Sequence, residues 1–365
     1  MSGEHTYVPA WWVPGAHLRT MWGRLTRRRL TTPVRVERWT TPDDDVLELR
    51  RLDPPADAGA ATPHLIFLHG LEGGAHSHYV ANLFAEVARR GWGADLVLFR
   101  GCAGELNRAR RFYHSGETTD FDFALRRIVA ERPDAPVGLA GVSLGGNVLL
   151  KWLGERGDSD VPAAVRGAVA VSVPFDLARG CRYLSRGFSR VYERFFLRSL
   201  VAKARRKLAR HPDLCDAAAL DRVRTLWDFD DVVTAPVHGF RDALDYYSQS
   251  SSINYLARVR VPTLLLSALD DPFLPPEVLD DVRSIARRNP ALEIEFVRRG
   301  GHVGFVSGRV PWRPVYYAEW RVADFLAKRF AEPQMTAKAI EPLMNADPTT
   351  AQARPHRRPR SFDQT

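Results

Sequence analysis

Residues 137–150 read Val-Gly-Leu-Ala-Gly-Val-Ser-Leu-Gly-Gly-Asn-Val-Leu-Leu. A serine hydroxyl is a weak nucleophile until a base takes its proton in a dry, oriented site. The apolar run predicts a strand, Gly141-x-Ser143-x-Gly145 a sharp turn, and the residues after it a helix. Such a turn lifts Ser143 above the sheet edge, with the helix N-terminus beneath any developing negative charge. Two partners follow downstream. Val261-Pro-Thr-Leu-Leu-Leu-Ser-Ala predicts a buried strand running into Leu269-Asp270-Asp271-Pro272. Glu293-Ile-Glu-Phe-Val predicts another, leading through Arg299-Gly300-Gly301 to His302. His302 would take the Ser143 proton and return it to a leaving group. A carboxylate from the aspartate pair would hold the imidazole tautomer and stabilise its cation. Singly, the aspartates read as a turn opener before proline and His302 as a loop histidine. Together, in this order, the three point to acyl transfer.

A fourth element lies upstream. Pro63-His-Leu-Ile-Phe-Leu-His69-Gly70-Leu71-Glu72-Gly73-Gly74 predicts a strand ending in a glycine-rich loop. Backbone N–H groups of Leu71 and of Leu144, which follows the nucleophile, are the candidate oxyanion donors. No Lys-Ser/Thr follows this loop and no G-x-G-x-x-G is present, which sets nucleotides aside. His76 and His78 have metal-like spacing but no evident third ligand. No metal or other cofactor is expected. Cys102 is read as a packing or loop residue, and His114 and Glu117 as organisers of the Gly101–Gly104 loop or as residues lining the pocket.

The elements needed to position these groups alternate along the chain. Strands are predicted at 33–40, 46–51, 64–69, 94–99, 136–142, 165–173, 261–267 and 293–298. Helices are predicted at 78–90, 117–131, 144–155, 276–288 and 313–330. Such alternation implies an α/β fold, a mostly parallel sheet with helices on both faces and ligands at the carboxyl ends of the strands. The expected domain is 1–332. It is interrupted from about 176 to 255 by a polar, aromatic, mainly helical stretch that reads as a lid. From Arg179 to Arg210 this stretch holds a single acid, Glu193, among many basic residues. Arg182, Arg186, Arg190, Arg194 and Arg198 recur every fourth residue and would form one stripe on a helix. Phe188, Val191, Phe195 and Leu200 lie beside it. The stripe reads as a solvated basic face or as a surface for anionic lipid. Residues 333–365 are Pro-rich and basic, and disorder is expected there.

Several blocks together resemble the YheT-like branch of the α/β-hydrolases. They are His69-Gly-Leu-Glu-Gly, Phe99-Arg-Gly-Cys102-Ala-Gly, Tyr113-His-Ser-Gly-Glu-Thr118, Gly141-Val-Ser-Leu-Gly-Gly-Asn147 and Asp270-Asp-Pro-Phe273. Val13-Pro-Gly-Ala-His17-Leu-Arg-Thr20 and Phe229…Gly239-Phe…Tyr246-Tyr247 add to the likeness, which covers about residues 8–330. The resemblance implies an α/β-hydrolase fold, into which the 176–255 stretch would insert as the lid, and an esterase or lipase activity on short-chain or lipid esters. The spacing from Asp271 to Pro275 resembles the acid loop of many such enzymes. That favours Asp271 over Asp270 as the acid.

Composition is consistent with this. At 45% hydrophobic and 26% charged residues, the 365-residue chain has the make-up of a globular protein with a sizeable core. Three cysteines without C-x-x-C argue against a disulfide framework and for a reducing compartment. No secretory pattern opens the chain and no run of eighteen apolar residues occurs. The expected location is therefore cytoplasmic, with peripheral contact at an anionic inner membrane surface. The net charge of +9 favours polyanions, but no nucleic-acid module is recognised. The expected activity is serine-dependent ester hydrolysis through an acyl-enzyme on Ser143. The alternatives are a thioesterase or acyltransferase using the same residues, or a non-catalytic binding scaffold.

Overall fold

The computed structural model describes residues 6–26, 30–157 and 159–332. The chain to Phe330 packs as one unit; of a second unit from Ala331, only Ala331 and Glu332 are described. The expected tail at 333–365 lies outside the described residues.

Apolar residues on both faces of successive strands force burial of both faces. In β3 (His64–Leu68), Leu65 and Phe67 face one core layer, Ile66 and Leu68 the other. The same holds for β4 (Gly93–Leu98), β5 (Val137–Val142), β6 (Val165–Val171) and β7 (Thr263–Ala268). With β1 (Arg35–Thr40), β2 (Val46–Leu52) and β8 (Leu292–Val297) they form one sheet in the order β1-β2-β4-β3-β5-β6-β7-β8. From β4 to β8 all pairs are parallel, while β1 and β2 run antiparallel at one edge. A short hairpin, β9 (Val306–Ser307) with β10 (Val315–Tyr316), intervenes before the last helix.

Helices cover both faces. Before the sheet stands α1 (Ala16–Thr26). Then come α2 (Val80–Arg89), α3 (Thr119–Glu131) and α4 (Leu144–Arg156). Helix α4 is buried along nearly its whole length, with Asn147 and Lys151 the polar residues among its buried positions. Between β6 and β7 the chain makes a helical excursion: α5 (Leu177–Leu184), α6 (Arg190–Leu208), α7 (Ala217–Arg222), α8 (Leu226–Phe229), α9 (Ala235–His238) and α10 (Ala243–Ser250). It carries its own core of Leu177, Leu184, Tyr192, Leu197, Phe229 and Tyr246. The chain then completes the sheet with α11 (Pro276–Ala286) and α12 (Tyr317–Ala331).

Helix α1 has no counterpart among the elements expected from the sequence. The five-arginine stripe also needs correction. Helix α5 ends at Leu184, Gly187 takes φ +51°, and a 3₁₀ turn at Gly187–Ser189 precedes α6. Ser189 Oγ donates to Pro272 O at 2.7 Å, pinning the break. Arg182 therefore sits on a different helix from Arg190, Arg194 and Arg198, and its guanidinium lies 4.7 Å from the Trp227 ring centre.

Candidate active site

The parallel register brings the carboxyl ends of the strands to one edge: Leu68 pairs with Gly141, Val142 with Val171, Val171 with Leu266. Ser143 stands where β5 turns into α4, at φ +55° and ψ −120°. A non-glycine residue there is strained by about 1–3 kcal/mol and must be held by its surroundings. Ser143 N–H donates to Val171 O at 2.8 Å. The flanking glycines are steric necessities. A Cβ on Gly141 would lie 2.4 Å from Gly145 O, and one on Gly145 would lie 2.5 Å from His69 O.

His302 Nε2 is 3.0 Å from Ser143 Oγ. Its Nδ1 is 2.9 and 3.1 Å from the two oxygens of Asp271. The Phe273 N–H donates to Asp271 Oδ1 at 2.8 Å, and the Phe273 ring stacks on the imidazole at 3.9 Å and 13°. Asp271 and His302 are buried, and Ser143 is half-buried. Asp270 lies apart from this chain. Its Oδ1 accepts the N–H groups of Gly300 and Gly301 at 2.7 and 2.9 Å, and Arg19 reaches its Oδ2 at 3.3 Å. Asp270 thus ties down the loop that carries His302.

The loop after β3 packs directly on the nucleophile. A Cβ on Gly70 would fall 3.2 Å from Ser143 Cβ and 3.6 Å from its Oγ. Tyr79 OH accepts Gly70 N–H at 2.8 Å. Phe99 N–H donates to His69 Nε2, so the proton sits on Nδ1, which donates to Gly70 O at 2.8 Å. Complete burial pushes this imidazole down to about 4, which keeps it a neutral brace. No acceptor among the described residues meets the N–H of Leu71 or Leu144.

Ser143 and His302 open into a cleft of about 1050 Å³, counted to its open mouth. The excursion roofs it with Leu177, Leu184, Phe196, Leu200 and Phe229. His114 and His238 also line it, and burial holds both imidazoles below their ordinary value, His238 at about 4. Burial likewise raises the Asp230 carboxyl there to about 6. Glu117 pairs with Arg111 and accepts the Thr119 N–H at the start of α3. Burial pushes the Cys102 thiol up to about 11.

The sequence assigns no role to two hydroxyls of the site. Thr20 Oγ1 accepts the His302 N–H at 2.9 Å from α1, and Ser172, at φ +51°, accepts the Val303 N–H at 3.0 Å. Their partners lie more than a hundred residues away.

The arrangement suits proton transfer from a serine onto a histidine oriented by a carboxylate, beside two unengaged N–H donors and an apolar cleft. Comparison with known proteins agrees with the fold. The profile of the α/β hydrolase fold family matches residues 63–308. The YheT protein of Escherichia coli K12, an esterase by name, is 40% identical over 89% of this chain and 94% of its own. A Saccharomyces cerevisiae protein named monoacylglycerol lipase is 29% identical over 80% of this chain and 64% of its own. Mouse phospholipase ABHD3 is 27% identical over 85% and 76%. Among solved structures, the Pyrococcus furiosus esterase Pf2001 superposes with a TM-score of 0.53 at 16% identity, over 84% of this chain and 97% of that one. The chain belongs to the α/β-hydrolase family, on its YheT-like branch.

Proposed function

We propose that this protein hydrolyses carboxylic esters of lipid type through an acyl-enzyme on Ser143. His302 Nε2 takes the Ser143 proton as Oγ attacks the ester carbonyl. Leu71 and Leu144 N–H groups receive the oxyanion. The tetrahedral intermediate collapses, the alkoxide leaves with the proton from His302, and the acyl group stays on Ser143. A water, deprotonated by His302, then attacks the acyl carbon; the acyl–Oγ bond breaks, Ser143 Oγ takes the proton back from His302, and the carboxylic acid leaves. Asp271 keeps the imidazole proton on Nδ1 and stabilises the imidazolium. No cofactor enters any step. The observation that carries this reading is the Ser143–His302–Asp271 chain, at 3.0 and 2.9 Å, opening into an apolar cleft. A lipid acyl chain fits that lining, and relatives are named monoacylglycerol lipase and phospholipase.

The helical excursion acts as a lid whose outer face meets anionic lipid. Phe188, Val191 and Phe195 are about half exposed, with Leu18 and Leu25 exposed on α1. The two helices adjoin there: His17 packs on Phe188 at 4.5 Å, and Arg24 lies 4.1 Å over the Phe195 ring. Arg190, Arg194 and Arg198 are exposed around this apolar surface. Apolar side chains ringed by arginines suit an anionic bilayer. The experiment for the acyl-enzyme is labelling with a fluorophosphonate, mapped by mass spectrometry. The label is expected on Ser143; turnover with no label there would overturn the reading.

A further inference from the structure

Glu72 follows the candidate oxyanion donor Leu71 and has φ +53°, a conformation rarely adopted by side-chain-bearing residues. It is anchored at both ends. Its N–H donates to Tyr113 OH at 2.9 Å, and Tyr113 OH donates back to Glu72 Oε1 at 2.8 Å. From α6, Ser199 Oγ donates to Oε2 and Lys203 Nζ to Oε1, the latter at 2.8 Å. Ser199 and Lys203 are four residues apart and so share one helix face. The carboxylate is 4% exposed, and Lys203, which also lies 3.4 Å from Cys102 Sγ, is 18% exposed. Glu72 and Lys203 line the same cleft as Ser143.

A buried ion pair contributes little net stability, because desolvation offsets the attraction. This one sits where a fraction of an ångström counts. Leu71 has Gly70 on its N-terminal side, held by Tyr79 and facing Ser143. On its C-terminal side it has Glu72, held by Tyr113, Ser199 and Lys203. The Leu71 N–H is thus clamped between two anchored residues, one fastened to the core and one to the excursion.

We propose that Glu72 is a positioning residue that, gripped by Ser199 and Lys203 of α6, fixes the Leu71 N–H against the substrate oxyanion, so that the placement of α6 sets the competence of the oxyanion hole. This rests on the acyl-enzyme reading above. A polar grip from the lid on the oxyanion loop means that a displaced lid costs transition-state stabilisation even while Ser143, His302 and Asp271 stay aligned.

The test is steady-state hydrolysis of a soluble ester by Glu72→Gln and Lys203→Met, singly and together, counted per fluorophosphonate-titratable site. An ångström of misplacement costs about a hundredfold in rate. Each single variant is expected to lower kcat by about ten- to a hundredfold with KM changed by less than about twofold. The double variant should lose no more than the worse single, since both changes break one device. Affinity for a trifluoromethyl ketone, whose hemiketal oxygen occupies the hole, should weaken by the same factor as kcat. Lys203→Arg, which keeps the ion pair, should restore most of the rate. If Glu72→Gln does not fold, Ser199→Ala removes one grip and should lower kcat and ketone affinity together. Unchanged kcat per site in Lys203→Met and Ser199→Ala would overturn the proposal, as would a fall in kcat with ketone affinity intact. Failure of the acyl-enzyme reading shows separately, as turnover retained in Ser143→Ala.

Discussion

Asp270 and Asp271 adjoin in the chain and hold different partners. Asp271 accepts from His302 Nδ1 at 2.9 Å, whereas Asp270 accepts the backbone N–H groups of Gly300 and Gly301 at 2.7 and 2.9 Å. The first bond orients the imidazole, and the second pair holds the loop beneath it. Asp271→Asn is therefore expected to lower kcat by about 10²–10⁴, through the wrong imidazole tautomer, with the fold intact. Asp270→Ala strands two N–H groups and should cost about 1–3 kcal/mol of stability, with a smaller loss of kcat. Kinetics and thermal unfolding of the two variants check this. The reverse order in kcat would make Asp270 the acid.

Acid should destabilise the fold in the range where its histidines charge. His69 and His238 titrate near 4 in the folded chain, against about 6.5 when unfolded, and burial also depresses His114. For a group with a depressed folded pKa, the stabilisation is complete above the unfolded value and is lost as pH falls toward the folded one. His69 alone accounts for roughly 3 kcal/mol between pH 6.5 and 4. Asp230, raised to about 6 by burial, opposes this, since its protonated form is favoured in the folded state as pH drops. Burial also raises the Asp120 carboxyl, in the same direction as Asp230. The three histidines outweigh the two carboxyls, so the urea midpoint should fall from pH 7 to pH 5. A midpoint that is flat or rising over that interval would contradict the burial argument.

Much of the fold and of the site is legible in the sequence. The strands of a doubly covered sheet read as apolar runs, because both of their faces are buried. Ser143 and Asp271 each follow such a run, and His302 follows the half-exposed edge strand β8, all at the end where a parallel sheet gathers its ligands. The rest was hidden for physical reasons. Thr20 and Ser172 reach the His302 loop across 282 and 131 residues, and nothing in a hydroxyl's own segment says which distant N–H it will meet. The break between α5 and α6 depends on Gly187 at positive φ, which a four-residue arginine period masks. Glu72 lies inside the glycine-rich loop block, but its partner Lys203 is 131 residues away, and nothing in either segment pairs them.

Anionic lipid contact makes a salt-dependent prediction. An arginine near an anionic surface contributes about 1 kcal/mol, and exposed charges are screened beyond about 10 Å at 0.1 M salt. Replacing Arg190, Arg194 and Arg198 with Gln should reduce co-sedimentation with phosphatidylserine vesicles at low salt. It should also slow hydrolysis of vesicle-borne esters and leave a soluble ester nearly unaffected. Vesicle sedimentation at low and high salt measures this. If the unaltered protein fails to sediment at low salt, the lid's outer face is solvated only.

The central claim is that Ser143 carries the acyl group. The most direct measurement is ester turnover by Ser143→Ala, compared with the unaltered protein at matched thermal stability. Alanine retains the backbone of the turn and removes only the hydroxyl that faces His302 Nε2 at 3.0 Å. Loss of a triad nucleophile leaves only the contribution of the oxyanion hole and binding. The account predicts a loss of kcat of about 10⁶ with the fold preserved. Hydrolysis at or near the original rate would contradict it.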